Sequence, residues 1–310
     1  MVRLAFAHHA VTVSDVDRAI AFYRDALGMT AEADAHVEGE NISRGIGLPG
    51  ARLRIARVSF SDNQGVHRLE LIQYLSPEGK KQFEEKPYDV GASHLALRRD
   101  NVPAAYEELR EKDVPFFHPP ARTSLETRNY IAFLRDPDGN RIELTEMATH
   151  HQHTVKDMAR AVAFYRDSLG MEVVKNLEIG GESVERMTGT SGARMKSTHL
   201  VPPGSRWGEE SIELQQFLHP VGKLRQELRP CDVGCSHVAF GVDDVDEVYR
   251  ELLAKEVSFI SPPFHPRPGS VRKCVHLRDP DGYYLELARR DAWSGPTGYD
   301  GSVDNTMGIS

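Results

Sequence analysis

Cysteine is scarce in this 310-residue chain: only Cys231, Cys235 and Cys274 occur, an odd number with no CxxC pair. That argues against a disulfide framework and predicts a reduced, cytoplasmic setting. Long apolar runs are absent, so no stretch is expected to cross a bilayer. Positive charge is short as well, with 38 Lys and Arg against 46 Asp and Glu, a net charge of −8. A nucleic-acid partner is therefore not expected, because a phosphate-backbone binder needs the opposite balance. The opening MVRLAFAHHAVTV is too short and too rich in His for a secretory leader and reads as a strand. No Gly/Ser linker divides the chain, although its length suits two domains of about 150 residues.

What is present is a repeat. AFYRDALGM at 21–29 returns as AFYRDSLGM at 163–171, DVGASH at 89–94 as DVGCSH at 232–237, and LRDPDG at 134–139 as LRDPDG at 277–282. Four pairs of metal-ligating residue types return too: His8 with His150 at an offset of 142, then Glu70 with Glu213, His94 with His237 and Glu143 with Glu286 at 143. A duplicated fold needs to keep only its apolar pattern, and packing does not require these His and Glu. Residues 1–147 and 148–291 are read as two modules, with 292–310 as a flexible tail rich in Gly, Ser and Asp.

Each half-module reads as strand, helix, then several strands. The first strand covers 4–13. Ser14 is expected to cap the first helix with Asp17 in the capping-box position, Val16, Ile20, Phe22, Tyr23 and Leu27 recur at helical spacing, and Gly28 supplies the stop. Strands follow at 53–60 and 68–75, then 91–97. Asn101 caps a helix with Pro103 in its first turn, and strands at 130–134 and 141–145 flank the Asp-Pro-Asp-Gly turn.

Alternation along strands places the repeated His and Glu. In RLELIQY, Leu69 and Leu71 face the helices, so Glu70 points away; in RIELTE, Ile142 and Leu144 face them, so Glu143 points away. His8 parts from His9 and His94 from Leu95 in the same manner. Each module thus turns two imidazoles and two carboxylates to the inner face of its sheet. Such burial is costly without compensation, and a divalent cation compensates it. Imidazole plus carboxylate suits Zn, Ni, Co, Mn or Fe(II).

These residues resemble the vicinal oxygen chelate superfamily, which includes glyoxalase I, epimerases, extradiol dioxygenases and bleomycin-binding proteins. HHAVTVSD with AFYRDALGM, LEL, SHLAL and DPDGNRIEL, with their second copies, carry the resemblance over residues 5–290. It implies an α+β fold of tandem modules, each of two βαβββ units forming a curved mixed-sheet cup with helices outside. The implied metal ligands are His8, Glu70, His94, Glu143, His150, Glu213, His237 and Glu286. Two closures stay open: His8/Glu70/His94/Glu143 within one module, or exchanged sets His8/Glu70/His237/Glu286 and His150/Glu213/His94/Glu143.

The family device is a small substrate that offers two adjacent oxygens to the metal. Full His/Glu/His/Glu sets favour a lyase or isomerase, with Glu70, Glu143, Glu213 and Glu286 as candidate bases. The rival is an Fe(II) ring-cleaving dioxygenase using His150, His237 and Glu286 as a facial triad. It expects a Tyr ten positions before the last Glu, and His276 stands there, with Phe133 in the other copy. His276 is an acid/base candidate that would make module two the working one. A drug-sequestering protein is a third reading, disfavoured by retention of all eight donors. His9, His151 and His153 read as spare, and Arg267, Arg272 and Arg278 as a solvated loop or an anion-holding cluster. Homo-oligomerisation is compatible with all three readings.

Overall fold

The computed structural model describes residues 3–60, 68–80, 86–122, 129–224 and 228–290; the tail assigned to 292–310 lies outside them. Four sequence-consecutive units build the chain. The first is β1 (Ala5–Thr12), α1 (Val16–Asp25), β2 (Thr30–Glu38), α2 (Glu40–Gly45), β3 (Arg52–Ser59) and β4 (Arg68–Ser76). The second is β5 (Ser93–Arg98), α3 (Val102–Glu111), β6 (Ala121–Arg122), β7 (Tyr130–Arg135) and β8 (Arg141–Thr145). The third is β9 (His150–Thr154), α4 (Met158–Ala163) running into a π turn at Phe164–Ser168, β10 (Glu172–Gly180), α5 (Glu182–Thr188), β11 (Arg194–Val201) and β12 (Ser211–His219). The fourth is β13 (Ser236–Val242), α6 (Val245–Ala254), β14 (Cys274–Arg278) and β15 (Tyr284–Arg289).

The strands form two mixed sheets, and each takes units from both copies of the repeat. One runs β14-β15-β13-β1-β4-β3-β2 and the other β10-β11-β12-β9-β5-β8-β7-β6. The seams are antiparallel, with Ala10 opposite His237 and Ala96 opposite His150. Of the two closures open at the sequence level, the exchanged one is built. Unit one pairs with unit four, and unit two with unit three.

The two largest apolar cores follow the other division. One packs α1 and α3 through Val16, Tyr23, Val102 and Leu109 against Leu69, Leu71, Ile142 and Leu144, all from the first copy. Its counterpart gathers Tyr165, Ile212, Leu214, Phe240, Leu252, Leu285 and Leu287, with Leu4 the one buried member from outside the second copy. The Leu-Glu-Leu and Ile-Glu-Leu alternation thus serves both divisions. Its apolar members bind the copy together on the helix side, and its Glu members face a cup shared between copies.

Two local details explain the joins. Asp15, not Ser14, caps α1 by accepting from the Arg18 amide at 3.0 Å. The Ser14 hydroxyl is taken by Asp138 of the Asp-Pro-Asp-Gly turn at 2.6 Å, which fixes the start of α1 to unit two. Beyond β4 and β12 the chain crosses the entry of the neighbouring unit closely. A Cβ on Gly79 would fall inside the Cys231 carbonyl, and one on Gly222 inside that of Tyr88. The crossings are tied by Val233 N to Lys80 O at 3.1 Å and Val90 N to Lys223 O at 2.9 Å. Gly79→Ala and Gly222→Ala are each expected to lower stability by about 1–3 kcal/mol through overpacking, read as a fall in denaturation midpoint. An unchanged midpoint would mean that the crossing yields freely.

Candidate metal centre

The eight donors predicted from sequence fall into two cups. His94 on β5, Glu143 on β8, His150 on β9 and Glu213 on β12 share one; His8 on β1, Glu70 on β4, His237 on β13 and Glu286 on β15 share the other. The seven donors other than His237 are buried, and His237 is half-buried. Small residues at the register positions between them leave room for convergence. Ala10, Ala96 and Ala239 are fully buried and stand opposite the donors' strands. The triad His150, His237 and Glu286 expected for a dioxygenase is not assembled, because unit exchange sends His150 to one sheet and His237 and Glu286 to the other. The single-module set His8/Glu70/His94/Glu143 is likewise split.

In the first cup the donor atoms of His94, His150 and Glu213 lie within 4.8 Å of one another. His94 Nε2 sits 3.1 Å from Glu143 Oε2, while His150 Nε2 is 3.1 Å from Glu213 Oε2 and 3.7 Å from Glu143 Oε2. His150 Nε2 is buried and makes no hydrogen bond despite this proximity. Among the described residues, no Lys or Arg pairs with either carboxylate. Burial opposes charge on the His150 ring, but Glu143 and then Glu213 override it and hold its pKa well above the ordinary imidazole value. Burial would raise Glu143, yet His150 and His94 pull it down to about 2. An inward-facing imidazole nitrogen without a hydrogen bond, between two carboxylates that pair with no Lys or Arg among the described residues, fits a divalent ion.

Sequence reasoning missed the groups that hold Glu213. Its Oε1 accepts from the Ser197 hydroxyl at 2.6 Å and from Gln215 Nε2 at 3.0 Å. Gln152 Nε2 in turn donates to Gln215 Oε1 at 3.1 Å. Glu143 is engaged through Oε2 alone among the described residues. The signal was available as a difference between copies, since Ser197 and Gln215 stand where Ile55 and Ile72 stand in the other. A cavity of about 400 Å³ adjoins the four donors, with Met187, Met195 and Ile179 as apolar wall and Lys175 and Arg141 as cationic members. That is the size of a small-ligand site.

The second cup has the same four donor types under different electrostatics. His8 Nε2 is 3.4 Å from both Glu70 Oε2 and Glu286 Oε2, and His237 Nε2 is 3.4 Å from Glu286 Oε2. Arg57 Nη2 donates to Glu70 Oε1 at 2.6 Å, and Arg272 Nη2 to Glu286 Oε1 at 2.7 Å. Arg272, read from sequence as part of a surface cluster, therefore turns inward. His276 is half-buried with Nε2 at 3.9 Å from Glu286 Oε2, and desolvation, above all, lowers its pKa to about 4. The cavity here is only about 100 Å³.

The imidazoles taken as spare are structural. His9 and His151 stack at 4.9 Å with their Nδ1 atoms 2.9 Å apart, and His151 Nε2 reaches Glu210 at 2.7 Å. His153 Nε2 contacts Asp279 at 3.1 Å and its ring stacks on Tyr283. Among the described residues, no helix is long and apolar enough to cross a membrane.

A family model described as Glyoxalase/Bleomycin resistance protein/Dioxygenase superfamily matches residues 5–144 and again 148–287. A lactoylglutathione lyase of Arabidopsis thaliana is 26% identical over 293 residues, spanning 91% of this chain and 90% of its own. Glyoxalase I of Saccharomyces cerevisiae is 24% identical over 315 residues, spanning 92% of each. Among solved structures, a variant of glyoxalase I from Zea mays superposes with a TM-score of 0.68 at 21% identity over 93% of both chains, which is likeness of fold.

Proposed function

The chain belongs to the Glyoxalase/Bleomycin resistance protein/Dioxygenase superfamily, and on that premise we propose that it is a divalent-metal-dependent lyase or isomerase working in the cup of His94, Glu143, His150 and Glu213. The observation that carries this is the pair of buried carboxylates, paired with no Lys or Arg among the described residues, beside a cavity of about 400 Å³. His94, Glu143, His150 and Glu213 would hold the ion. Bound there, a divalent cation supplies positive charge to two adjacent substrate oxygens as a C–H proton leaves.

The chain's own residues do the rest. Glu213 is fixed by Ser197 and Gln215 and serves as a rigid donor. Glu143 keeps Oε1 disengaged among the described residues, so it takes the proton from one substrate carbon and returns it to the neighbouring carbon. No external oxidant is needed. Lys175 and Arg141 give the cavity a cationic side for an anionic part of the substrate. A glutathione adduct, the substrate type in the names of the lactoylglutathione lyases, meets that description. His276 lies in the other cup and takes no part in this reading.

The purified chain, supplied in turn with Zn, Ni, Co or Mn, should convert methylglyoxal and glutathione to S-lactoylglutathione. Oxygen uptake on catechols without thioester formation would favour the dioxygenase instead. Metal uptake should also release a proton. With its pKa raised, His150 is protonated near neutral pH in the metal-free chain, and an imidazole must lose that proton to become a ligand. Apparent affinity should therefore rise with pH until the raised pKa is passed. Calorimetric titration in buffers of different ionisation enthalpy would reveal this, and a buffer-independent heat would contradict it.

A further inference from the structure

The second cup carries an inference of its own, which rests on the first cup holding the metal. Glu70 and Glu286 contribute two negative charges, and Arg57 and Arg272 contribute two positive ones. Arg57 is 3% exposed. Arg272 bridges the carboxylates, its Nη2 on Glu286 and its Nη1 3.7 Å from Glu70 Oε1. The fixed charges of the two guanidiniums and the two carboxylates thus balance one another. A dication would add buried charge that no group among the described residues answers.

Among the described residues, no guanidinium stands at the matching positions of the other cup. Arg57 pairs in register with Glu70, and the residue in register with Glu213 is His199. Arg272 lies two residues before β14; the residue two before the matching Ile131 on β7 is Asn129. The Glu213 clamp of Ser197 and Gln215 is replaced by Ile55 and Ile72. The loop carrying Arg272 also lines the cup through Pro266, Arg267, Ser270 and Val271, and only about 100 Å³ is left.

We propose that the cup of His8, Glu70, His237 and Glu286 is a metal-free clasp, in which Arg57 and Arg272 replace the cation and hold the 266–272 loop over the site. The chain then has one metal centre and one working site, although its sequence repeats all eight donors. The donor atoms of His8, His237 and Glu286 still lie within 4.8 Å of one another. Removing the guanidiniums should therefore expose a latent second site.

The experiment is metal counting on the full chain, saturated with Zn or Co(II), desalted and analysed by mass spectrometry. The expected result is one ion per chain, retained in His8→Ala and lost in His150→Ala. The double variant Arg57→Met/Arg272→Met should carry two. Two ions in the unaltered chain, or one ion lost in His8→Ala and kept in His150→Ala, would overturn the proposal. So would a folded double variant that still binds one. If that variant does not fold, the two His variants decide alone. No ion in any form would instead sink the enzymatic reading of the first cup, and the asymmetry with it.

Discussion

Glutamine in place of Glu143 is expected to lower turnover by about 10²–10⁴-fold, the usual contribution of a positioned base. The substitution keeps the side chain's shape and leaves an oxygen to face His94 and His150, but it removes the group that can carry a proton. Bound metal should stay at the level of the unaltered chain, and KM should move little. Glu213→Gln should behave differently. Glu213 Oε1 already accepts from Ser197 and Gln215, so an amide there either gives up an acceptor or turns an NH₂ toward those donors. Weaker metal affinity is the primary loss expected. Full turnover in Glu143→Gln would move the base to another residue, and equal metal loss in both variants would make Glu143 only a ligand.

Methionine in place of Arg57 is expected to cost about 3–5 kcal/mol of stability when measured with a chelator present, because it leaves half of a buried ion pair. Burial alone would raise the Glu70 pKa, but His8, Arg272 and Arg57 bring it down to about 2. A carboxyl held below its ordinary value stabilises the fold above that value, and the contribution fades as pH falls toward the depressed one. Arg57→Met should therefore lose most stability near neutral pH and least in acid. A divalent cation should restore part of the loss by meeting the stranded Glu70. The double variant Arg57→Met/Glu70→Gln should be milder than the single one, since it removes charge from both sides. A midpoint that is insensitive to Arg57→Met would show that Arg272 alone satisfies the cup.

Much of this was legible in the chain. Leu69, Glu70 and Leu71, with Ile142, Glu143 and Leu144, encode which face is core and which is cup through period-two alternation, because one buried face sets the register of a strand. Asn101 caps α3 as its spacing indicated, with its side chain accepting from Ala104 N. Other features depend on chain pairing and carry no local mark. The seven-residue step from Glu143 to His150 allows either closure, so nothing nearby tells His94 to meet Glu213 rather than Glu70. Ser14 looks like a cap until Asp138, 124 positions away, claims its hydroxyl. Arg57 and Arg272 are 215 residues apart and read as strand and loop arginines until exchange brings them to one pair of carboxylates. Comparing the copies position by position, Arg57 with His199 and Ile72 with Gln215, would have flagged the asymmetry.

On the proposed function, the cup of His94, Glu143, His150 and Glu213 grips a divalent ion, and turnover depends on it. Its most direct test is titration of the metal-free chain with Co(II) or Ni(II) while thioester formation is followed in the same samples. Activity should be absent at the start and climb in step with occupancy to a plateau at one ion per chain, with neither signal in His150→Ala. Activity that is full before metal is added, or a saturated site that never turns over, would contradict the account.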